Sequence, residues 1–255
     1  MKMTRLFVDV GASGIHIDDL YSGVKKFGTA GNDHVVVPIS EHIRRLLSAK
    51  LQMDVMGCAL PMYTVTLDSP TTPHRSEALL VHRTDVEMSD HITSTIDPRD
   101  RPFILGSTNP DLPSLAVAVA SGTTEADWKE SARLLSVDEA VAAVVTASEY
   151  DSLVKATAGL TSSDALRFAT RQGHRVFWDA DAGRTPEGWY LFRGGIEAAV
   201  TRAVAASPYA DIVWTCTPEY IEEVAQRFAT GVHAAYPGKL LAFNWTGPFM
   251  SKSKT

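Results

Sequence analysis

The residues best suited to chemistry in this chain stand where short apolar runs turn polar. Gly14-Ile-His-Ile-Asp-Asp delivers an imidazole, His16, and two carboxylates, Asp18 and Asp19, at the end of an alternating segment. Leu79-Leu-Val-His-Arg-Thr-Asp ends in Arg83 and Asp85, Asp211-Ile-Val-Trp-Thr-Cys in Cys216, and Leu240-Leu-Ala-Phe-Asn-Trp-Thr in Asn244 and Thr246. An imidazole moves protons near neutral pH, a guanidinium pairs with anions, and a carboxylate takes a proton or helps to hold a cation. Each group also has an ordinary reading. His16 suits a hydrogen-bonded core histidine, Arg83 an ion pair with Asp85 or Asp18, Cys216 an inert buried thiol, and Lys25 and Lys26 a solvated turn.

The elements that must position these groups are legible from hydrophobic period. Ile15 and Ile17 alternate with His16 and Asp18, which predicts a strand, and Thr4 to Gly11 reads as the end of a preceding helix. Ser40 has the chemistry of an N-cap, and Ile43, Leu46, Leu47, Leu51 and Val55 form a stripe on the helix that follows. Strands are predicted at 79–82, 175–179, 211–215 and 240–243, and a short extended piece at 103–105. Helices are predicted over 126–135 and 137–147, after Thr161 or Ser162, and along Ile196, Ala199, Val200, Ala203 and Val204. Thr217 and Pro218 read as the opening of one more, with Ile221, Val224, Ala225, Phe228 and Val232 on its apolar face. Strands alternating with helical stripes indicate an α/β fold with parallel strands, whose ligand-facing ends would converge on one mouth in a barrel. The expected organisation is one domain over 1–255, with 60–78 as an inserted loop and 98–172 as an inserted loop and helical segment.

Composition narrows the class of function. With 45% hydrophobic and 21% charged residues in a chain of 255, a full core can be buried. A net charge of -6 with no concentrated basic stretch argues against a nucleic-acid partner. No apolar run is long enough for a membrane helix, and no signal-peptide h-region stands at the start, so no membrane partner and a cytoplasmic location are expected. Two cysteines, Cys58 and Cys216, are too few for a disulfide framework and are expected reduced.

Along most of its length the chain resembles the isocitrate lyase family, within the superfamily of methylisocitrate lyase and phosphoenolpyruvate mutase. The resemblance rests on Gly14-Ile-His-Ile-Asp-Asp, Lys25-Lys-Phe-Gly, Val37-Pro-Ile-Ser-Glu-His, His82-Arg-Thr-Asp and Ile92-Thr-Ser-Thr-Ile-Asp-Pro-Arg-Asp. It continues through Phe103-Ile-Leu-Gly-Ser-Thr-Asn-Pro, Trp178-Asp-Ala-Asp-Ala-Gly-Arg-Thr-Pro-Glu-Gly, Pro208-Tyr-Ala-Asp-Ile-Val-Trp and Gly231-Val-His-Ala-Ala-Tyr-Pro-Gly. The fungal-type enzymes are the most similar in these segments. The resemblance implies a partial, incomplete TIM-type (β/α) barrel, a small-molecule substrate and assembly as a homo-oligomer. It implies catalytic roles for His16, Asp18, Arg83 and Asn244, with Arg83 meeting a substrate carboxylate.

Departures from the family pattern fall at the same places. The family's Lys-Lys-Cys-Gly-His loop, whose thiolate exchanges a proton with the substrate carbanion, has Phe27 and Thr29 at the cysteine and histidine positions. Its Trp-Met-Glu-Thr becomes Trp214-Thr-Cys-Thr, so Cys216 replaces an acid, and its Asn-Leu-Ser-Pro-Ser-Phe becomes Asn244-Trp-Thr-Gly-Pro-Phe. Phe27, Cys216, Trp245, Thr246 and Phe249 are therefore the expected substrate-binding set, lining a more apolar pocket or simply packing. The family's magnesium-binding aspartates would precede Met1, leaving Asp18 where the family has Glu, so no metal site and no cofactor are expected beyond weak Mg²⁺. The leading expectation is a repurposed scaffold catalysing a cofactor-independent cyclisation or isomerisation of an apolar metabolite in specialised biosynthesis. The alternatives are residual carbon-carbon lyase chemistry on a carboxylic acid, and a non-catalytic subunit or degenerate gene product.

Overall fold

The sequence folds around strands whose two faces carry different kinds of residue. The computed structural model describes residues 1–24, 34–58 and 78–245. In chain order, α1 (Lys2–Asp9) precedes β1 (Gly14–Asp18), and β2 (His34–Val36) leads into α2 (Ile39–Met56). Then come β3 (Leu79–Thr84) and β4 (Ser89–Ile92), followed by α3 (Leu115–Ala120), α4 (Glu125–Ala132), α5 (Val137–Ala142), α6 (Ala147–Ala156) and α7 (Ser162–Arg171). The chain continues through β5 (Tyr190–Leu191), α8 (Ile196–Ala206), β6 (Ile212–Thr217), α9 (Glu222–Ala235) and β7 (Leu240–Trp245).

Four strands form a parallel sheet in the order β1-β3-β6-β7, and β2, β4 and β5 form a second, smaller sheet. In the large sheet Leu80, His82 and Thr84 of β3 and Val213, Thr215 and Thr217 of β6 point to the buried side. α8 packs on that side with Ala198, Ala199, Ala203 and Ala206, small side chains that let the helix lie close to the strands. α9 packs on α8 so closely that a Cβ on Gly231 would stand 2.5 Å from Val200 Cγ1. The other side of the sheet carries His16, Val81, Arg83, Ile212, Trp214 and Ala242 in register and is only partly covered. Among the described residues β1 pairs only with β3 and β7 only with β6, so the sheet is open: a partial TIM-type barrel of parallel strands with helices on its outer face.

Several elements differ from the sequence reading. Ser40 is not the cap of α2; Pro38 is the N-cap, and the first backbone N–H groups are taken by distant carboxylates, Ile39 N by Asp100 at 2.9 Å and Ser40 N by Asp97 at 2.6 Å. The buried stripe of α2 is Ile39, His42, Ile43, Leu46, Ala49 and Met53, while Leu47, Leu51 and Val55 are exposed. Residues 174–178 form no strand; Trp178 instead packs in the core with its Nε1 donating to the Leu135 carbonyl, and Asp179 makes a single bridge to Ser107. Thr217 ends β6 rather than opening a helix, and α9 begins only at Glu222. The two helices predicted over 126–135 and 137–147 are both shorter: α4 ends at Ala132, and α5 starts at Val137 as predicted, behind the Ser136 capping box, but ends at Ala142. Of the predicted inserted loop at 60–78, all but Ala78 lies outside the described residues.

Candidate active site

In a parallel sheet, residues in register on adjacent strands present the same face, and here the registers assemble the site in rows. Asp18, Arg83, Trp214 and Ala242 share one row across β1, β3, β6 and β7. The row below is His16, Val81, Ile212 and Leu240, and Cys216 stands beside Asn244 in the row above. His16, Asp18, Arg83, Cys216 and Asn244 are thus brought together at the C-terminal end of one sheet face. Trp245 is not: strand alternation puts it on the opposite face, where its ring stacks 5.1 Å from Tyr220. Phe27, Thr246 and Phe249, with Lys25, Lys26, Thr29 and Pro248, lie outside the described residues.

Arg83 is the centre of the arrangement. Its Nε donates to both carboxylate oxygens of Asp85 at 3.1 Å and its Nη2 donates to Oδ1 at 2.8 Å. The guanidinium also lies over the Trp214 ring, 4.8 Å from the centroid. Burial works against the charge on Arg83, but the hydrogen bonds and charge of Asp85 outweigh it and hold the guanidinium's pKa above its ordinary value. Asp85 is fully buried, and that desolvation carries its own pKa upward despite Arg83. Among the described residues the Nη1 end of Arg83 makes no hydrogen bond.

Around Arg83 stand groups of different proton-transfer character. His16, on the open face, packs against Trp214 with ring centroids 5.2 Å apart. Trp214 Nε1 is buried and has no acceptor among the described residues. Burial, with Asp85 adding to it, pushes the Cys216 thiol up to about 11, and Asn244 Nδ2 donates to its sulfur at 3.5 Å. At neutral pH such a thiol keeps its proton, which disfavours the nucleophile reading and leaves a weak donor.

Beneath the site lies an ionic layer that periodicity does not reveal. Asp19, fully buried, accepts from Thr84 Oγ1 at 2.6 Å, from the Asp85 backbone N–H at 3.2 Å and from Arg202 Nη1 at 3.1 Å. Arg202 also donates to Asp100 at 2.7 Å. The one sequence signal is that Arg202 shares the buried face of α8 with Ala199, Ala203 and Ala206, where a lone charge demands partners. The family resemblance implies magnesium, but the donor set does not fit it: among the described residues no group of three or more His, Cys, Asp or Glu side chains is arranged to hold a metal ion.

An open parallel α/β sheet with helices on its outer face and polar groups collected at one set of strand ends is the architecture of an incomplete (β/α) barrel. Residues 1–254 match the model of the isocitrate lyase family, and the chain belongs to that family. It is 32% identical over 264 residues to the mitochondrial 2-methylisocitrate lyase of Schizosaccharomyces pombe, covering 99% of this chain and 47% of that protein. It is 33% identical to the isocitrate lyase of Oryza sativa subsp. japonica, with 98% of this chain and 45% of that protein covered. With the isocitrate lyase of Saccharomyces cerevisiae the identity is 32%, over 97% of this chain and 45% of the other. The chain spans about half the length of the curated relatives it matches.

Proposed function

We propose that the strand-end cluster binds a small di- or tricarboxylic acid and serves carbon-carbon lyase chemistry of the kind named for its relatives. The observation that carries this reading is the Arg83 guanidinium, held by Asp85 and Trp214 on the partly covered side of the sheet that also carries His16, with Nη1 making no hydrogen bond among the described residues. A carboxylate there would meet a cation fixed in place by Asp85 and by the Trp214 ring. Cleavage of a 2-hydroxy acid needs a base to take the hydroxyl proton, a broken carbon-carbon bond that leaves an aldehyde or ketone on one fragment, and an acid to protonate the carbanion on the other. His16 and Asp18 are the candidate bases; Arg83 would stabilise the carboxylate next to the developing charge. The Cys216 thiol, which keeps its proton, is the candidate donor in the row above.

The family relation supports this lyase reading more than the cyclisation or isomerisation expected from the departures at Phe27, Thr29, Cys216 and Pro248. Isothermal calorimetry with succinate, glyoxylate, isocitrate and 2-methylisocitrate tests binding, and an assay for aldehyde or 2-oxo-acid release tests cleavage. Binding of at least one dicarboxylate that Arg83→Gln weakens about tenfold or more is expected, the cost of removing a charged hydrogen bond. Heat-silent titrations with all four acids overturn the reading. Carboxylate binding with no product release would favour the isomerisation reading, to which Phe27 and Thr29 at the proton-transferring positions point. A cytoplasmic location and a homo-oligomeric state belong to the same proposal, and relatives named as mitochondrial make the former a point to test.

A further inference from the structure

Arg202 enters the core from α8 at a junction of three elements. Its Nη1 donates to Asp19 Oδ2 at 3.1 Å and to the Val37 carbonyl at 2.9 Å, its Nη2 donates to Asp100 Oδ1 at 2.7 Å, and the Phe192 ring covers the guanidinium at 5.6 Å. The side chains of Arg202, Asp19 and Asp100 are at most 2% exposed. An arginine buried between two carboxylates is a poor route to stability, because desolvation offsets most of the attraction. Such an arrangement does restrict direction, since a planar fork held at both ends cannot rotate.

The restriction is passed on through continuous contacts. Asp19, fixed by Arg202, receives the Thr84 hydroxyl at 2.6 Å and the backbone N–H of Asp85 at 3.2 Å. Asp85 in turn holds Nε and Nη2 of Arg83. On the far side Asp100 is anchored by the Ile39 N–H at the start of α2, so Arg202 has a fixed point to pull against. Thr84 and Asp85 are the residues where β3 leaves the sheet; Arg83 holds the Asp85 carboxylate from within the strand, and Asp19 holds the Asp85 backbone N–H from outside it.

We infer that Arg202 is a positioning residue for the anion site: acting through Asp19, it sets the backbone at Asp85 and thereby the direction of the Nη1 edge of Arg83. The inference rests on the reading of the cluster as a carboxylate site, and one measurement separates the two. Exchange of the Arg83 Nε–H with solvent, followed in ¹⁵N NMR spectra and assigned by its loss in Arg83→Gln, reports the Asp85 clamp with no ligand present. Succinate affinity, measured on the same samples, reports the site.

In a folded Arg202→Met variant, Arg83 Nε–H exchange is expected to speed by about tenfold and succinate affinity to fall by a similar factor, the size of coupling seen between residues in one network. Arg227→Met, which removes only the exposed pair with Glu197, is expected to leave both readings unchanged. Should Arg202→Met not fold, Arg202→Lys decides. An ammonium cannot span Asp19 and Asp100 as the fork does, so a partial acceleration is expected there. Exchange at the wild-type rate in a folded Arg202 variant overturns the inference, whatever the ligand does. No succinate binding to the wild type, with exchange accelerated in the variant, overturns the carboxylate reading and upholds the positioning role.

Discussion

His42 Nε2 lies 2.7 Å from His82 Nδ1, joining α2 to the second strand of the large sheet by an imidazole pair that is almost completely buried. One ring donates and the other accepts, so the two cannot both be charged, and burial keeps both neutral in the folded protein. Burial, then the charges of Arg202 and Arg45, lowers the His42 pKa to about 3, against a smaller opposing effect of the Asp18 carbonyl. Burial and His42 lower that of His82, with Asp19 opposing and Arg202 and Lys239 adding.

The sign of the consequence follows. Below the ordinary histidine pKa the unfolded chain takes up protons that the folded chain refuses, so stability is complete above about pH 6.5 and is lost as pH falls towards 3. Each histidine contributes up to about 1.4 kcal/mol per pH unit in that window. Urea midpoints at pH 7, 5.5 and 4.5 should fall steeply for the wild type and less steeply for His82→Ala. Equal slopes for the two proteins would show that the pair does not carry the acid sensitivity.

The start of α2 makes a second, sharper contrast. Ser40→Ala should change stability by only a few tenths of a kcal/mol, because no side-chain cap bond is made there. Asp97→Ala should cost about 1 to 2 kcal/mol, since it removes the acceptor of the Ser40 N–H and the partner of Arg99. Chemical denaturation of the two variants side by side checks this; a larger loss from Ser40→Ala would reverse the assignment of the cap.

Gly194 tests the turn that follows Asp85. A Cβ there would stand 2.4 Å from the Val86 carbonyl oxygen and 2.5 Å from that of Ser89, both backbone atoms with little room to give. Gly194→Ala should therefore shift the turn over Val86–Met88 and cost about 1 to 3 kcal/mol. Gly14→Ala, whose nearest neighbour would be at an ordinary 3.5 Å, should cost no more than about 1 kcal/mol. Thermal melts rank the two, and a Gly194→Ala protein as stable as the wild type would show that the loop accommodates the methyl group freely.

What the sequence disclosed of this architecture is what local pattern can encode. Ile15 and Ile17 alternating with His16 and Asp18 mark β1, and the apolar starts and polar ends of β3, β6 and β7 mark the strand-end cluster. The second sheet was not legible, because β2, β4 and β5 are only 3, 4 and 2 residues long and too short to show a period. Residues 175–179 satisfy the composition of a strand, yet Trp178 packs singly with its indole bonded to Leu135, a tertiary preference that propensity cannot foresee. The Asp19, Asp100 and Arg202 layer joins residues up to 183 positions apart, so only the isolated charge on an alanine face pointed to it.

The open sheet leads to the last prediction, that the protein self-associates. Among the described residues, β1 and β7 each offer an unpaired strand edge, and Leu240 at the start of the β7 edge is 60% exposed. Unpaired edges recruit other strands, and apolar area removed from water contributes about 25 cal/mol per Å². A two-fold arrangement would cover the same patch on both copies at once, which makes a dimer the simplest closed assembly. Light scattering at micromolar concentration should then give about twice the chain mass of 27.7 kDa. A lysine in place of Leu240 should shift the population towards monomer without lowering the unfolding midpoint of that monomer, because the side chain is mostly solvated already. A wild-type protein that scatters as a monomer and unfolds cooperatively would refute the prediction and would leave both edges to be covered within a single chain.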